Sequence, residues 1–107
     1  MGNSYRDLIV WQKAKALAIF VYRITEEFPK QEIFGLTAQM RRSAVSIPSN
    51  IAEGQGRNSK TDFMRFLCIA RGSLLELATQ IEIALELQLG NQEGLTGLMK
   101  QCDEVRY

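Results

Sequence analysis

The sequence contains no histidine. That absence removes the Ser-His-Asp and Cys-His catalytic arrangements and most zinc and non-haem iron sites, which depend on imidazole. Cysteine is scarce as well: Cys68 and Cys102 stand too far apart for a zinc knuckle or a CxxC redox pair. Cys68, within an apolar stretch, is expected to be a small buried hydrophobe. Only Pro29 and Pro48 could interrupt a helix, so long helices are allowed. No apolar run approaches a membrane span, and Met1 is followed by polar residues instead of a basic-then-apolar leader. The expectation is a cytoplasmic protein with reduced thiols and no membrane contact. The net charge of +1 supplies no global attraction to nucleic acid or lipid.

What is present suits one globular domain over residues 1–107, with 46% apolar and 23% charged residues. The charge is unevenly spread. Residues 30–71 hold seven basic side chains against three acids, whereas residues 72–107 hold two against six. Gly, Pro and Asn divide the chain into four helical pieces. Ser4 and Asp7 have capping-box spacing, so the first helix should begin near Ser4, bury Ala14, Leu17, Val21, Ile24 and Phe28, and stop at Pro29. The second should run from about Gln31 to Gly54 on a stripe of Ile33, Leu36, Met40, Ala44, Ile47 and Ile51. A kink or broken turn is expected near Pro48, and a flexible exit at Gly54 and Gly56. Ser59 and Asp62 repeat the capping spacing and open a long third helix reaching about Leu89. Asn91 caps a fourth containing Leu95, Leu98, Met99, Cys102 and Val105. Short connections make the predicted fold an all-α, antiparallel up-down-up-down four-helix bundle.

Two further stripes appear on the second helix when its residues are placed at about 100° intervals. Phe34, Ala38, Val45 and Ala52 form an apolar ridge about 140° from the core stripe. Ile9 and Phe20 lie off the main seam of the first helix, as do Ile69, Ile83 and Leu87 on the third. Such wide apolar arcs make Phe34, Ala38, Val45, Ala52, Ile9 and Phe20 candidates for a homo-oligomer interface. The alternative is that each helix needs a broad face to meet two neighbours. Gln39, Arg42, Ser46, Asn50 and Glu53 form a polar track, matched on the third helix by Arg65, Gly72, Glu76 and Thr79. That track reads either as a recognition surface or as an internal network, for example Arg42 with Glu76, that fixes helix register.

Chemistry is harder to place. Gly54-Gln55-Gly56-Arg57 follows a helix and lacks the Gly-Lys-Ser/Thr ending, so it reads as a turn and not as a phosphate loop. Without Glu-x-x-His pairs, Glu82 and Glu86 read as surface charges. No catalytic, cofactor-binding or metal-binding residue is identified, and a non-enzymatic protein is expected.

Three segments carry a resemblance. Asp7–Ala14 (DLIVWQKA), Phe34–Arg57 (FGLTAQMRRSAVSIPSNIAEGQGR) and Phe66–Gln80 (FLCIARGSLLELATQ) are similar to four-helix-bundle proteins encoded within intervening sequences of bacterial 23S ribosomal RNA genes. The resemblance implies a bundle that assembles as a ring-like homopentamer. Related bundles serve as accessory proteins of diversity-generating retroelements, which implies Arg41, Arg42 and Arg57 as nucleic-acid contacts here. Together with Lys60 and Arg65 these form the candidate nucleic-acid surface. The leading expectation is a homo-oligomer that binds RNA or DNA. The alternative is a protein-protein scaffold or accessory subunit that recognises a protein partner without touching nucleic acid.

Overall fold

In the computed structural model, which describes residues 4–105, the element order follows the capping residues with two departures. Ser4 does cap: its Oγ accepts from the Arg6 amide at 3.1 Å. The turn it opens is a single 3-10 turn, Tyr5–Asp7, because Leu8 then adopts an extended conformation (φ −77°, ψ 125°). Helix α1 therefore starts at Ile9 and ends at Thr25. The second departure lies after Pro29. Lys30–Glu32 forms another 3-10 turn, and helix α2 spans Leu36–Gly56 instead of starting near Gln31. No Ser, Thr, Asp or Asn side chain caps it; the Glu32 carboxylate accepts from the Leu36 amide at 3.1 Å and supplies an anion at the helix start. Ile33 consequently sits outside α2 and is exposed.

Helix α3 covers Lys60–Glu86, with the Ser59 Oγ accepting from the Asp62 amide at 3.2 Å. Its end is a left-handed cap. Gln88 takes φ 57°, Leu89 donates to the Ala84 carbonyl at 3.0 Å, and Gln88 donates to Leu85 at 3.1 Å. These bonds satisfy carbonyls that the helix leaves unpaired. Asn91 caps α4, Gln92–Glu104, through a 3.0 Å bond from the Gly94 amide to its Oδ1. Among the described residues there is no strand, and no helix is long and apolar enough to cross a membrane.

The four helices enclose one core. Leu17 and Val21 of α1, Met40, Ile47 and Ile51 of α2, Leu77 and Ile81 of α3, and Leu95 and Leu98 of α4 are completely buried. At about 1.5–3 kcal/mol per fully buried large apolar side chain, this cluster dominates the stabilising side of folding. Helix α2 packs against α1 and α3, and α4 closes the ring against α3 and α1. Ser46 meets Ser73, while Gly54 lies against Phe66, so α2 and α3 run in opposite directions where they touch. Gly54 is not a flexible exit. It is buried inside α2, and a Cβ there would come within 2.7 Å of Phe66 Cβ. The exit is instead at Asn58, with φ 60°. Pro48 lies inside α2, where its missing N–H leaves the Ala44 carbonyl without a helical donor.

Candidate nucleic-acid interface

The polar track on α2 faces the neighbouring α3 and forms a cleft with it. Gln39, Arg42, Ser43 and Ser46 from one helix and Ser73, Glu76 and Gln80 from the other line a space of about 370 Å³. Part of its floor is hydrogen-bonded. Asn50 Nδ2 donates to the Ser46 carbonyl at 2.8 Å and to Ser46 Oγ at 2.9 Å, and the Ser46 and Ser73 hydroxyls share a bond of 2.8 Å. The rim is not. Gln80 Oε1 is buried without a donor, and no ion pair joins Arg42 to Glu76. Among the described residues, the one ion pair is Arg57–Glu53, at 2.9 Å on one turn of α2. The internal Arg42–Glu76 network envisaged from the helical wheel is therefore not formed, although both residues line one cleft.

The five basic candidates occupy three settings. Arg41 turns away from α3 toward the end of α1. Its Nε donates to Thr25 Oγ1 at 2.9 Å, its Nη2 donates to the Tyr22 carbonyl at 3.3 Å, and its guanidinium lies 4.6 Å from the Tyr22 ring centre. A cation there meets the negative end of α1 and adds a second donor to the Tyr22 carbonyl, so Arg41 has a structural task. Arg42 stands alone on the cleft rim. Arg57 and Arg65 come together on the two sides of the α2–α3 turn, 5.1 and 5.6 Å from the centre of the same Phe66 ring. Lys60 is exposed at the start of α3 between them in sequence. The ring holds two guanidinium groups in place while leaving their remaining N–H donors toward solvent.

The candidate interface residues also divide. Phe34 is 94% exposed and Ile9 68%, whereas Phe20 and Val45 are 36% and 43% exposed and Ala38 and Ala52 are partly covered. Val45 and Pro48 join Ala18, Ile19 and Tyr22 in an apolar groove of about 510 Å³ between α1 and α2. Phe20 belongs to a second groove with Ala16, Ile19 and Gln101. Ile19 and Tyr22 escaped sequence reasoning; their place beside Val45 depends on how α1 and α2 meet, which one helix's periodicity does not encode. Cys68 corrects the expectation made for it, since it is exposed on the outer face of α3. Cys102 is the buried thiol, with its pKa pushed up to about 11 by burial and then by the Asp103 charge. Among the described residues no three His, Cys, Asp or Glu side chains gather where they could share a metal ion.

Comparison with known proteins gives a consistent result for the fold. The sequence profile described as "23S rRNA-intervening sequence protein" matches residues 6–107. A crystal structure from Bacteroides thetaiotaomicron superposes with a TM-score of 0.79 and 24% identity, covering 91% of each chain. That protein is described as being of unknown function and from the S23 ribosomal protein family. No curated protein matches the chain.

Proposed function

The chain belongs to the 23S rRNA-intervening sequence protein family, and from that premise we propose a non-enzymatic, cytoplasmic, homo-oligomeric bundle that binds RNA or other nucleic acid through the α2–α3 turn. The observation that carries this reading is the pair of guanidinium groups, Arg57 and Arg65, bracketing the Phe66 ring. Held arginines suit phosphate oxygens because their planar donors match two acceptors at once. Lys60 adds a mobile positive charge at the same end. Glu53 engages Arg57 through Nη2 alone, so the surface keeps donors for a backbone. Contacts of this kind fix position and carry little sequence information. Arg41 is excluded from the set because Thr25 and Tyr22 already hold it. Five copies is the assembly that the family resemblance implies, and the exposed Phe34, Ile9 and Val45 supply apolar surface for it.

Replacing Arg57, Lys60 and Arg65 together by Ala tests this reading. Loss of three phosphate contacts is expected to weaken binding to a labelled structured RNA by roughly 10-fold or more at low salt. Circular dichroism should show unchanged helicity. Equal affinity of the variant and the parent would refute the assignment. A protein-protein scaffold is the second reading, favoured by the α1–α2 groove around Ile19, Tyr22, Val45 and Pro48. It gains if a specific protein partner co-purifies after nuclease treatment and survives high salt.

A further inference from the structure

We propose that the cavity at the junction of α1 and α2 binds a small monocarboxylate with an apolar body, held between Arg41 and Thr37. The inference is independent of the nucleic-acid reading, because none of the residues it uses lies at the α2–α3 turn. The chain leaves α1 at Thr25, is turned by Pro29 and the 3-10 turn Lys30–Glu32, and re-enters a helix only at Leu36. A space of about 260 Å³ lies within that connection. Thr37 and Arg41 stand one turn apart on α2, and both line it. Two observations mark the space as a site. The first is Thr37. Thr25, Thr79 and Thr96 each donate a hydroxyl hydrogen to the carbonyl four residues earlier, at 2.7, 2.9 and 3.0 Å. Thr37 is only 4% exposed, yet its hydroxyl makes no such bond and has no other partner among the described residues. A buried hydroxyl is ordinarily paired, so Thr37 keeps an unused donor at the cavity wall. The second is Arg41. Bonds from Nε to Thr25 and from Nη2 to Tyr22 fix its guanidinium, while Nη1 has no acceptor. A guanidinium that is already positioned loses little freedom when it takes a ligand.

The lining sets the charge and shape of the ligand. Lys30 and Arg41 bring two positive charges and Glu26 one negative, which leaves one positive charge to be matched. One carboxylate matches it, and its two oxygens can accept from the Arg41 guanidinium and the Thr37 hydroxyl. A phosphate group carries close to two charges at neutral pH, and Glu26 would repel it. The other walls are apolar: Phe28 is buried, Pro29 lies beside it, and Ile33 is 50% exposed. A short hydrocarbon chain laid against them is removed from water and covers Ile33, which the chain itself leaves open. Sites for drug-sized ligands enclose roughly 300–1,000 Å³, so this cavity suits a smaller body. Such sites combine an apolar lining with a few placed polar groups, and Thr37 and Arg41 are those groups here.

Titration of the full chain with isocaproate, followed by heteronuclear NMR, reads the outcome. Saturable shifts should centre on the amides of Thr37 and Arg41 and the methyl groups of Ile33, with a Kd of about 1 mM or tighter. Isocaproamide keeps the shape and loses the charge, and should bind at least about 10-fold more weakly. Inorganic phosphate should also bind more weakly than isocaproate. Thr37→Val removes the hydroxyl and keeps the shape, and should weaken isocaproate by about 10-fold. Its melting temperature should equal or exceed the parent's, because the hydroxyl has no partner to lose. Lys30→Gln, at an exposed position, leaves the fold alone and should weaken binding by about 3-fold. No saturable shift below about 10 mM isocaproate would overturn the proposal. Equal affinity for the amide would remove the carboxylate from it, and phosphate binding as tightly as isocaproate would make the cavity a phosphate site instead. Unchanged affinity in both Thr37→Val and Lys30→Gln would place any binding elsewhere on the molecule.

Discussion

The inner and outer faces of the α2–α3 pair obey different physics. Toward α1 and α4, Met40, Ala44, Ile47, Ile51, Leu77, Ile81 and Ala84 are wholly buried and make contacts without direction. Toward the outside, Gln39, Arg42, Ser46, Ser73 and Glu76 interact through hydrogen bonds and charges, some completed within the chain and some left open. The inner face stabilises the bundle whatever lies outside it. The outer face costs desolvation wherever it closes, and it is specific because its partners must sit at the right distance and angle. One pair of helices thus carries a face that holds the fold and a second face whose polar groups are only partly satisfied within the chain.

Substitutions on each face sharpen that contrast. Leu77→Ala, on the inner face, leaves a cavity in a fully packed region and should cost about 2–5 kcal/mol in urea unfolding. A cost below about 1 kcal/mol would mean the core is looser than its burial implies. Gly54→Ala acts at the seam between faces. The added methyl meets Phe66 Cβ, and separating α2 from α3 there should cost about 1–3 kcal/mol, read as a lower melting temperature. Ser46→Ala, on the outer face, removes one of the two acceptors of Asn50 Nδ2 and the partner of Ser73, for about 1 kcal/mol and little change in helicity. Gln88→Gly lies on neither face. Glycine relieves the left-handed conformation at φ 57°, so this variant should be more stable than the parent by roughly 0.5–1 kcal/mol. A destabilised Gln88→Gly protein would show that the glutamine side chain contributes more than its strained backbone removes.

The inner face was readable from spacing alone, because apolar residues at helical intervals map directly onto burial: Ala14, Leu17, Val21, Met40, Ile47 and Ile51 all lie inside. Caps at Ser59 and Asn91 were readable for the same reason, since the side chain bonds a backbone amide two or three residues away. The start of α2 was not, because its cap is Glu32 reaching across a turn, and no short-range signature describes that. Cys68 was misplaced because an apolar sequence neighbourhood does not say which side of a wheel faces out. The polar track was legible as a stripe. The division of the basic candidates into a held Arg41, a solitary Arg42 and an Arg57 placed over a ring was not, since it depends on Thr25, Tyr22 and Phe66, presented by neighbouring helices. Recognition surfaces are assembled between elements, and periodicity describes only one element at a time.

The salt dependence of RNA binding tests the proposed recognition role of the α2–α3 turn most directly. Purified, nuclease-treated protein would be titrated into labelled structured RNA at several salt concentrations. If Arg57, Lys60 and Arg65 neutralise phosphates, the logarithm of the affinity should fall linearly with the logarithm of salt, by about 0.7–0.9 per phosphate contacted. A slope near −2 to −3 is expected from this surface alone, and a steeper one if several copies bind together. Affinity independent of salt, or no binding at low salt, would contradict the assignment and leave the α2–α3 turn as an internal charge arrangement.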